Sequence, residues 1–270
     1  MHQFVLVLSC FVMMLATPVF AQDFQKGLKA AQSGDFATAL KEWKPLAEVG
    51  VSAAQFNLGL MYDMGKGVPQ DYKEAAKWYR LAAEQGHASA QFNLGLIYVN
   101  GQGVTQDYKE AAKWYRLAAE QGYAKAQTNL AFMYRYGQGV PQDYKEAVKW
   151  YRLAAEQGSA KAQFNLGLAY QDGQGVPQDY KEAVRWYRLA AEQGHADAQS
   201  NLGFMYDHGR GVLADYVIAH MWYNIGGANG NELGAKNREI LAKMMTSEDI
   251  SKAQAMARVC MNSNYEKCGY

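Results

Sequence analysis

The residue types that most often carry catalysis or bind metals are scarce in this chain, and they are not arranged for either task. The five histidines are His2, His87, His195, His208 and His220. None belongs to a His-Glu-x-x-His metal motif, and the chain has no Gly-x-Ser-x-Gly, Ser-x-x-Lys or phosphate-binding Gly-Lys-Ser/Thr motif. The sequence therefore predicts no catalytic residue, no metal site and no cofactor, and each histidine is expected in a surface or packing role.

The first 21 residues have the composition of a secretory signal peptide. Residues 4–16 are apolar apart from Ser9, and this run is shorter than the roughly 20 apolar residues that a membrane-spanning helix needs. Val19 and Ala21 place small residues where signal peptidases prefer them. We therefore predict cleavage before Gln22, export to the periplasm or the medium, and no membrane insertion after cleavage. The alternative is an uncleaved anchor.

Two cysteines would remain after such a cleavage. Cys260 and Cys268 lie eight residues apart near the C-terminus. In an exported chain such a pair is expected to form a disulfide. A metal site would need more ligands than this segment offers, because no histidine lies nearby.

The charge of the chain is nearly balanced. The 27 Lys and Arg residues and 26 Asp and Glu residues give a formal net charge of +1, whereas proteins that bind nucleic acids present a basic face. Recurring basic residues such as Lys73 and Lys77 lie beside recurring acids such as Glu74, which indicates a solvated surface of mixed charge. We therefore expect no nucleic-acid partner.

A segment of 36 residues is copied along most of the chain. Residues 54–89 and 90–125 differ at only seven positions, and further copies begin at residues 126, 162 and 198. The period is marked by Trp78, Trp114, Trp150, Trp186 and Trp222. A period of this length indicates a stack of similar helical or stranded units that bury their apolar faces on one another.

Each copy is expected to form two helices. The first, helix A, is predicted from Ser52 to Met64 in the first copy, with a glycine stop at Gly65. The second, helix B, starts at Asp71, and Glu74 three residues later suggests a capping box. Helical spacing places one side of helix A against one side of helix B. The expected contacts run from Ala54, Leu58, Gly59 and Tyr62 to Tyr72, Ala75, Ala76, Tyr79 and Ala83.

The repeated pattern of Asn-Leu-Gly-x-x-Tyr, Gly-x-Gly-Val, Asp-Tyr and Trp-Tyr resembles the Sel-one-like repeat, a relative of the tetratricopeptide repeat. The resemblance covers five repeats over residues 54–230. It implies an all-α fold, an α/α-solenoid in which helix-turn-helix repeats stack as a superhelix. Helix pairs in residues 22–53 and 231–270 would cap the two ends, and the predicted disulfide would hold the last turn. The two C-terminal helices are expected at residues 231–245 and 247–260, with Ser247 as N-cap.

The near-identical copies differ most on one face of helix A. The series are Phe56, Phe92, Thr128, Phe164 and Ser200; Asp63, Val99, Arg135, Gln171 and Asp207; and Met64, Asn100, Tyr136, Asp172 and His208. In solenoids of this kind helix A lines the concave surface, so this variation would follow the wall that meets a ligand; drift at exposed sites is the alternative. The third copy departs most, and we predict that the side chains of Arg135 and Tyr136 face solvent, contribute to partner selectivity and can be removed almost without effect on folding.

A constant asparagine shares that face. The series is Asn57, Asn93, Asn129, Asn165 and Asn201. An amide both donates and accepts, which suits recognition of a partner's main chain, and the resemblance to tetratricopeptide domains implies such a role at the matching position. The alternative is that each asparagine bonds the backbone of a neighbouring repeat. We predict that these five residues contact a protein or peptide ligand.

The function that follows is an exported, monomeric adaptor that binds a protein or peptide in its concave groove. Similar exported family members act in envelope regulation, envelope assembly or host interaction. The alternative is an envelope hydrolase acting on peptidoglycan or β-lactams, because some relatives have been described as penicillin-binding or β-lactamase-like. Those relatives carry a cysteine pair in each repeat, whereas no repeat of this chain contains a cysteine.

Overall fold

The computed structural model describes residues 21–268, and every regular element within them is an α-helix. The described chain forms two units, one ending at Tyr123 and one beginning at Ala124. Consecutive helices pair within each unit, which confirms the predicted α/α-solenoid of helix-turn-helix repeats. The predicted signal peptide lies outside the described residues except for Ala21. No helix within the described part of the chain is both long and apolar enough to cross a membrane.

The first unit contains six helices within its described residues. They are α1 (residues 21–32), α2 (Phe36–Glu48), α3 (Ser52–Met64), α4 (Tyr72–Glu84), α5 (Ala88–Asn100) and α6 (Tyr108–Glu120). The bounds of α3 are those predicted for helix A of the first repeat. Ahead of it, α1 and α2 pack around Trp43, whose indole Nε1 donates to the carbonyl of Phe24 at 3.2 Å.

The second unit contains eight helices within its described residues. They are α7 (Ala124–Tyr136), α8 (Tyr144–Glu156), α9 (Ala160–Asp172), α10 (Tyr180–Ala191), α11 (Ala196–Asp207), α12 (Tyr216–Ala228), α13 (Glu232–Ala242) and α14 (Ser247–Asn262). The last helix packs against α12. Its N-cap is Thr246, which accepts from the amide of Asp249, so the prediction of Ser247 as the N-cap is wrong.

Helix B begins as predicted at a capping aspartate, but its second cap bond is not made. Asp71 accepts from the amides of Lys73 and Glu74. A capping box would also need Glu74 to accept from the amide of Asp71, and that amide already donates to the carbonyl of Tyr62. The Glu74 carboxylate instead accepts from the Trp78 indole at 3.1 Å. The recurring acid therefore fixes the tryptophan in this repeat.

The recurring glycine of helix A lies against the recurring tyrosine of helix B. A Cβ atom on Gly59 would stand 2.6 Å from Cδ1 of Tyr79, and one on Gly95 would stand 2.5 Å from Cε1 of Tyr115. Such a distance is too short for carbon atoms in contact. Glycine therefore allows the two helices to approach closely, as its recurrence at a poor helix-forming position predicts.

The third repeat carries Ala131 at the glycine position, and a second substitution accompanies it. In the first, second and fourth repeats a phenylalanine packs beside the tyrosine ring, as Phe92 does beside Tyr115 with ring centroids 5.8 Å apart. The third repeat has the smaller Thr128 at that position. The tyrosine of the third repeat thereby lacks this aromatic neighbour, which leaves it room to accommodate the alanine methyl.

Replacing Gly95 by Ala tests this coupling. We expect a net loss in the free energy of unfolding, because overpacking costs about 1–3 kcal/mol and the helix preference for Ala returns only about 1 kcal/mol. The loss should be smaller in a Phe92→Thr background, where the Tyr115 ring is free to shift. Urea unfolding followed by circular dichroism measures both values. Equal losses in the two backgrounds would show that the substitutions act independently.

Neighbouring repeats are joined by buried glutamines, a feature that the sequence analysis missed. Gln91 donates from Nε2 to the carbonyl of Ala83 at 3.0 Å and accepts from Gln121 at 2.7 Å. The bond to Ala83 joins two neighbouring helix pairs, and the same bond recurs as Gln55–Ala47, Gln163–Ala155 and Gln199–Ala191. The bond to Gln121 lies within one repeat and recurs as Gln55–Gln85, Gln127–Gln157, Gln163–Gln193 and Gln199–Asn229. Because an unpaired buried amide is costly, the bonds to the alanine carbonyls favour one register between repeats.

The C-terminal cysteines meet at the end of α14. Both side chains are buried, and their sulfur atoms lie at disulfide distance. Tyr265, between them in sequence, accepts a hydrogen bond on its hydroxyl from Asn229 at 2.8 Å. The segment after α14 is thus held against the end of α12.

Candidate functional site

The hydroxyl of the helix B tyrosine is the centre of a hydrogen-bonded group that recurs along the repeats. In the first unit Tyr79 donates to Oδ2 of Asp63 at 3.0 Å, and Asn93 of the next repeat also bonds this hydroxyl. The three residues lie on α4, α3 and α5. The group therefore links both helices of one repeat to helix A of the next.

The second unit contains two groups of the same kind. They are Gln171, Tyr187 and Asn201, and Asp207, Tyr223 and Asn237. The tyrosine hydroxyl lies 3.0 Å from its acceptor in the first of these and 3.2 Å in the second. Asn237 was not predicted, although it lies 36 residues after Asn201 and so continues the period into α13. Extending the repeat register past the last copy would have found it.

The predicted asparagine series is therefore engaged within the protein at several positions. Asn93 and Asn201 bond a side chain of the preceding repeat, whereas the alternative considered above was a backbone bond. Asn57 and Asn129 are half-buried at the equivalent place on α3 and α7. Contact of all five asparagines with a partner, Asn165 included, remains a prediction.

The tyrosine hydroxyls remain donors at physiological pH. Burial raises the pKa of Tyr79, and the nearby carboxylate of Asp63 raises it further. Burial also raises the pKa of Tyr187, and burial followed by the charge of Asp207 raises that of Tyr223. Protonated hydroxyls hold the carboxylate and amide oxygens in fixed orientations within each unit.

In the third repeat Arg135 occupies the position of the residue that accepts from the tyrosine hydroxyl in the groups above. A positive charge therefore stands where the first and fifth repeats have a carboxylate. Its Nη1 donates to Oδ1 of Asn165 at 3.1 Å, and Asn165 in turn donates to the carbonyl of Lys161. The guanidinium also lies beside Tyr151, where it opposes the rise in pKa that burial causes. Arg135 is half-buried and hydrogen-bonded, so the expectation that its side chain faces solvent is wrong.

Tyr136 lies at the end of α7 and is open to solvent, as predicted. Its side chain is 53% exposed and that of Phe132 is 38% exposed. Their ring centroids are 4.4 Å apart, and the Arg135 guanidinium lies 5.5 Å from the Tyr136 ring. We call these three residues the α7 patch. The structure thus brings the two predicted selectivity residues together with a second exposed aromatic ring.

The series that begins with Phe56 does not belong to an open wall. Phe56 stacks on His87 and Phe164 stacks on His195, with ring centroids 4.6 and 4.7 Å apart. Thr128 and Ser200 are buried. Variation at this position follows packing between repeats, so its prediction as part of a ligand-facing set is wrong. His87 and His195 also cap α5 and α11, each by accepting from a backbone amide, which is a packing role of the kind predicted.

The described residues contain no group of three His, Cys, Asp or Glu side chains that could hold a metal ion. They do contain a cavity of about 410 Å³ where α11, α12 and α13 meet, with Asp207, Tyr223 and Asn237 in its wall. The group in the fifth repeat therefore opens into a cavity of ligand size, for which about 300–1,000 Å³ is usual.

A family model described as the Sel1 repeat matches five consecutive segments of the chain. The segments are residues 52–87, 88–123, 124–159, 160–195 and 196–231. The chain belongs to the Sel1 repeat family. This confirms the resemblance on which the predicted fold rests. The Sel1 repeat solenoid is commonly a protein-interaction fold and is typically non-catalytic.

Solved structures include several Sel1 repeat proteins similar to this one. A crystal structure of a Sel1 repeat protein from Oxalobacter formigenes is 36% identical with a TM-score of 0.77, and the match covers 86% of this chain and 94% of that one. A protective antigen of uropathogenic Escherichia coli strains with an SLR fold is 29% identical with a TM-score of 0.45, over 92% and 70% of the two chains. No curated protein matches the chain.

Proposed function

We propose that this Sel1 repeat protein is an exported, monomeric and non-enzymatic adaptor that binds an extended segment of a partner protein along its helix A face. The observation that carries the proposal is the α7 patch, whose Arg135 is hydrogen-bonded to Asn165. Exposed aromatic rings and arginine are the residue types that most often dominate protein interfaces.

The polar groups along this face also favour a bound main chain. A side-chain amide has two donors and an acceptor with two lone pairs, so one bond to a tyrosine leaves capacity for a partner. Asn201 is half-exposed and is held by Tyr187, as Asn93 is held by Tyr79. Because these amides are held before a ligand arrives, binding would lose little side-chain entropy.

Selection from a displayed library of extended peptides tests this function. The purified full chain is immobilised, and the retained peptides are measured against it by calorimetry. The proposal expects retained peptides that compete for one site and bind less tightly when Tyr136 is replaced. Peptides that bind Tyr136→Ala as tightly as the unaltered chain would place the site elsewhere, and an empty selection would contradict peptide binding.

Export is part of the proposal and rests on the apolar leader and the cysteine pair. Expression of the full sequence in a bacterium with a periplasm should yield a chain that begins at Gln22 and in which Cys260 and Cys268 do not react with an alkylating reagent. Intact mass before and after alkylation measures both features. A chain that retains Met1, or that gains two alkyl groups without prior reduction, would contradict export to an oxidising compartment.

A further inference from the structure

The cavity between α11, α12 and α13 has one apolar wall. Phe204 and Tyr216 contribute aromatic rings, and Ile240 and Met244 contribute aliphatic side chains that are more than half exposed. No Lys or Arg side chain is among the residues that line it. The wall is therefore suited to the aliphatic stem of a long side chain, which loses little by leaving water.

A carboxylate stands in the opposite wall. Oδ2 of Asp207 accepts from the Tyr223 hydroxyl at 3.2 Å, and Nδ1 of His208 lies 3.7 Å from the same oxygen. Among residues 21–268, none donates a hydrogen bond to Oδ1 of Asp207. The nearby guanidinium of Arg210 lies over the Phe204 ring, 5.0 Å from its centroid, and forms no ion pair with Asp207 in the described chain.

The third repeat contains an internal example of a cation at this place. Arg135, Tyr151 and Asn165 are each 72 residues before Asp207, Tyr223 and Asn237. In the third repeat the guanidinium donates to the asparagine and lies beside the tyrosine hydroxyl. A tyrosine and an asparagine in this arrangement are thus compatible with a neighbouring guanidinium. The fifth repeat keeps both residue types and has the carboxylate of Asp207 in place of the arginine.

We infer that the cavity binds a basic side chain, arginine or lysine, of the extended partner segment. The cationic head pairs with Asp207, the stem lies along Ile240 and Met244, and the Tyr216 ring adds a cation–π contact. This assignment rests on the proposed function, since it names the residue type that such a segment carries at the C-terminal end of the repeats. It excludes an acidic residue there, because Asp207 would repel it.

The test uses a small cation and its neutral analogue. n-Butylguanidinium and n-butylurea are titrated at pH 8 into the full chain, and the methyl NMR signals of Ile240 and Met244 report occupancy. The cation should bind about 10-fold more tightly than the urea, as a hydrogen bond to a charged group is stronger than one between neutral groups. Equal affinities, or no shift of either methyl group with either compound, would overturn the inference.

Variants connect the preference to the carboxylate. Asp207→Asn retains an acceptor for Tyr223 and should remove the preference for the cation. Asp63→Asn changes the equivalent bond to Tyr79 in the first repeat and should leave the titration unchanged. Tyr216→Leu, which leaves the carboxylate in place, should weaken the cation about threefold and n-butylurea much less. A cation preference that survives in folded Asp207→Asn contradicts the assignment.

Failure of this inference can be told apart from failure of the proposed function. Library selection measures binding to the whole chain, whereas the methyl signals measure the cavity alone. Selected peptides that bind while n-butylguanidinium does not would overturn the cavity assignment and leave the adaptor function standing. If the cavity preferred the cation but the library selection retained no peptide, the proposed partner segment would be wrong. The assignment of the basic side chain to that segment would then be wrong as well.

Discussion

Replacing Trp114 by Ala should lower the free energy of unfolding by about 3–5 kcal/mol, the usual cost of removing a large buried aromatic ring. Trp114 is 7% exposed and packs in a cluster with Tyr79, Leu94 and Ile97. Its Nε1 has no hydrogen-bond partner among the described residues, so the loss would come mainly from packing and not from a lost hydrogen bond. Urea unfolding followed by circular dichroism measures it.

Leu117 provides the matched control on the same helix. Its side chain is 38% exposed, so Leu117→Ala should change stability far less than Trp114→Ala. If the two variants lost the same amount, the recurring tryptophan would not be a principal packing residue of the array. The glutamate bond seen at Trp78 would then be the more important reason for the repeated tryptophan.

Replacing Tyr136 by Ala should weaken binding of a selected peptide by about 2 kcal/mol, roughly 30-fold, as for an interface hot spot. Tyr136 is the better choice than Arg135, because Arg135→Ala would also break the bond to Asn165 and lower stability. The exposed ring of Tyr136 leaves folding nearly unaffected when removed. Calorimetric titration gives the affinity, and a melting curve of each variant shows whether folding is preserved.

Lys149→Ala is the control for this measurement. Lys149 lies on α8 in the same unit, is exposed, and forms an ion pair with Glu146 on its own helix. Its removal should leave both affinity and stability almost unchanged, because exposed ion pairs contribute little. Loss of affinity in Lys149→Ala with full affinity in Tyr136→Ala would move the binding surface to helix B.

The repeat period made the helices predictable from the sequence. The hydrogen-bond partners of their polar side chains could not be predicted in the same way. Gly65 and Asp71 locate the end of α3 and the start of α4 by rules that act within a few residues. The bond between Tyr79 and Asn93 joins side chains of two repeats, and helical spacing alone does not tell which neighbour a side chain reaches. For that reason a ligand contact and an internal bond were equally consistent with the asparagine series.

The two errors at the candidate site have a related cause. A helical wheel gives the direction in which a side chain points, but it does not show how deeply a neighbouring helix buries that side chain. Phe56 points toward the first turn of the next helix A and is covered there by His87. Arg135 has a long side chain that turns back to Asn165, and the sequence shows only that a charge stands at this position.

The buried glutamines form joints between neighbouring repeats that are alike from one repeat to the next. At each of these joints within a unit, the buried glutamine of a helix A donates to the carbonyl of an alanine eight residues earlier, at the end of the preceding helix. A gene in which 36 codons were lost or duplicated would still bring the same donors and acceptors together at the new joint. Such a protein could become shorter or longer in whole repeats while the interface between neighbours stayed as it was, so its reach along a partner could change independently of its stability per repeat.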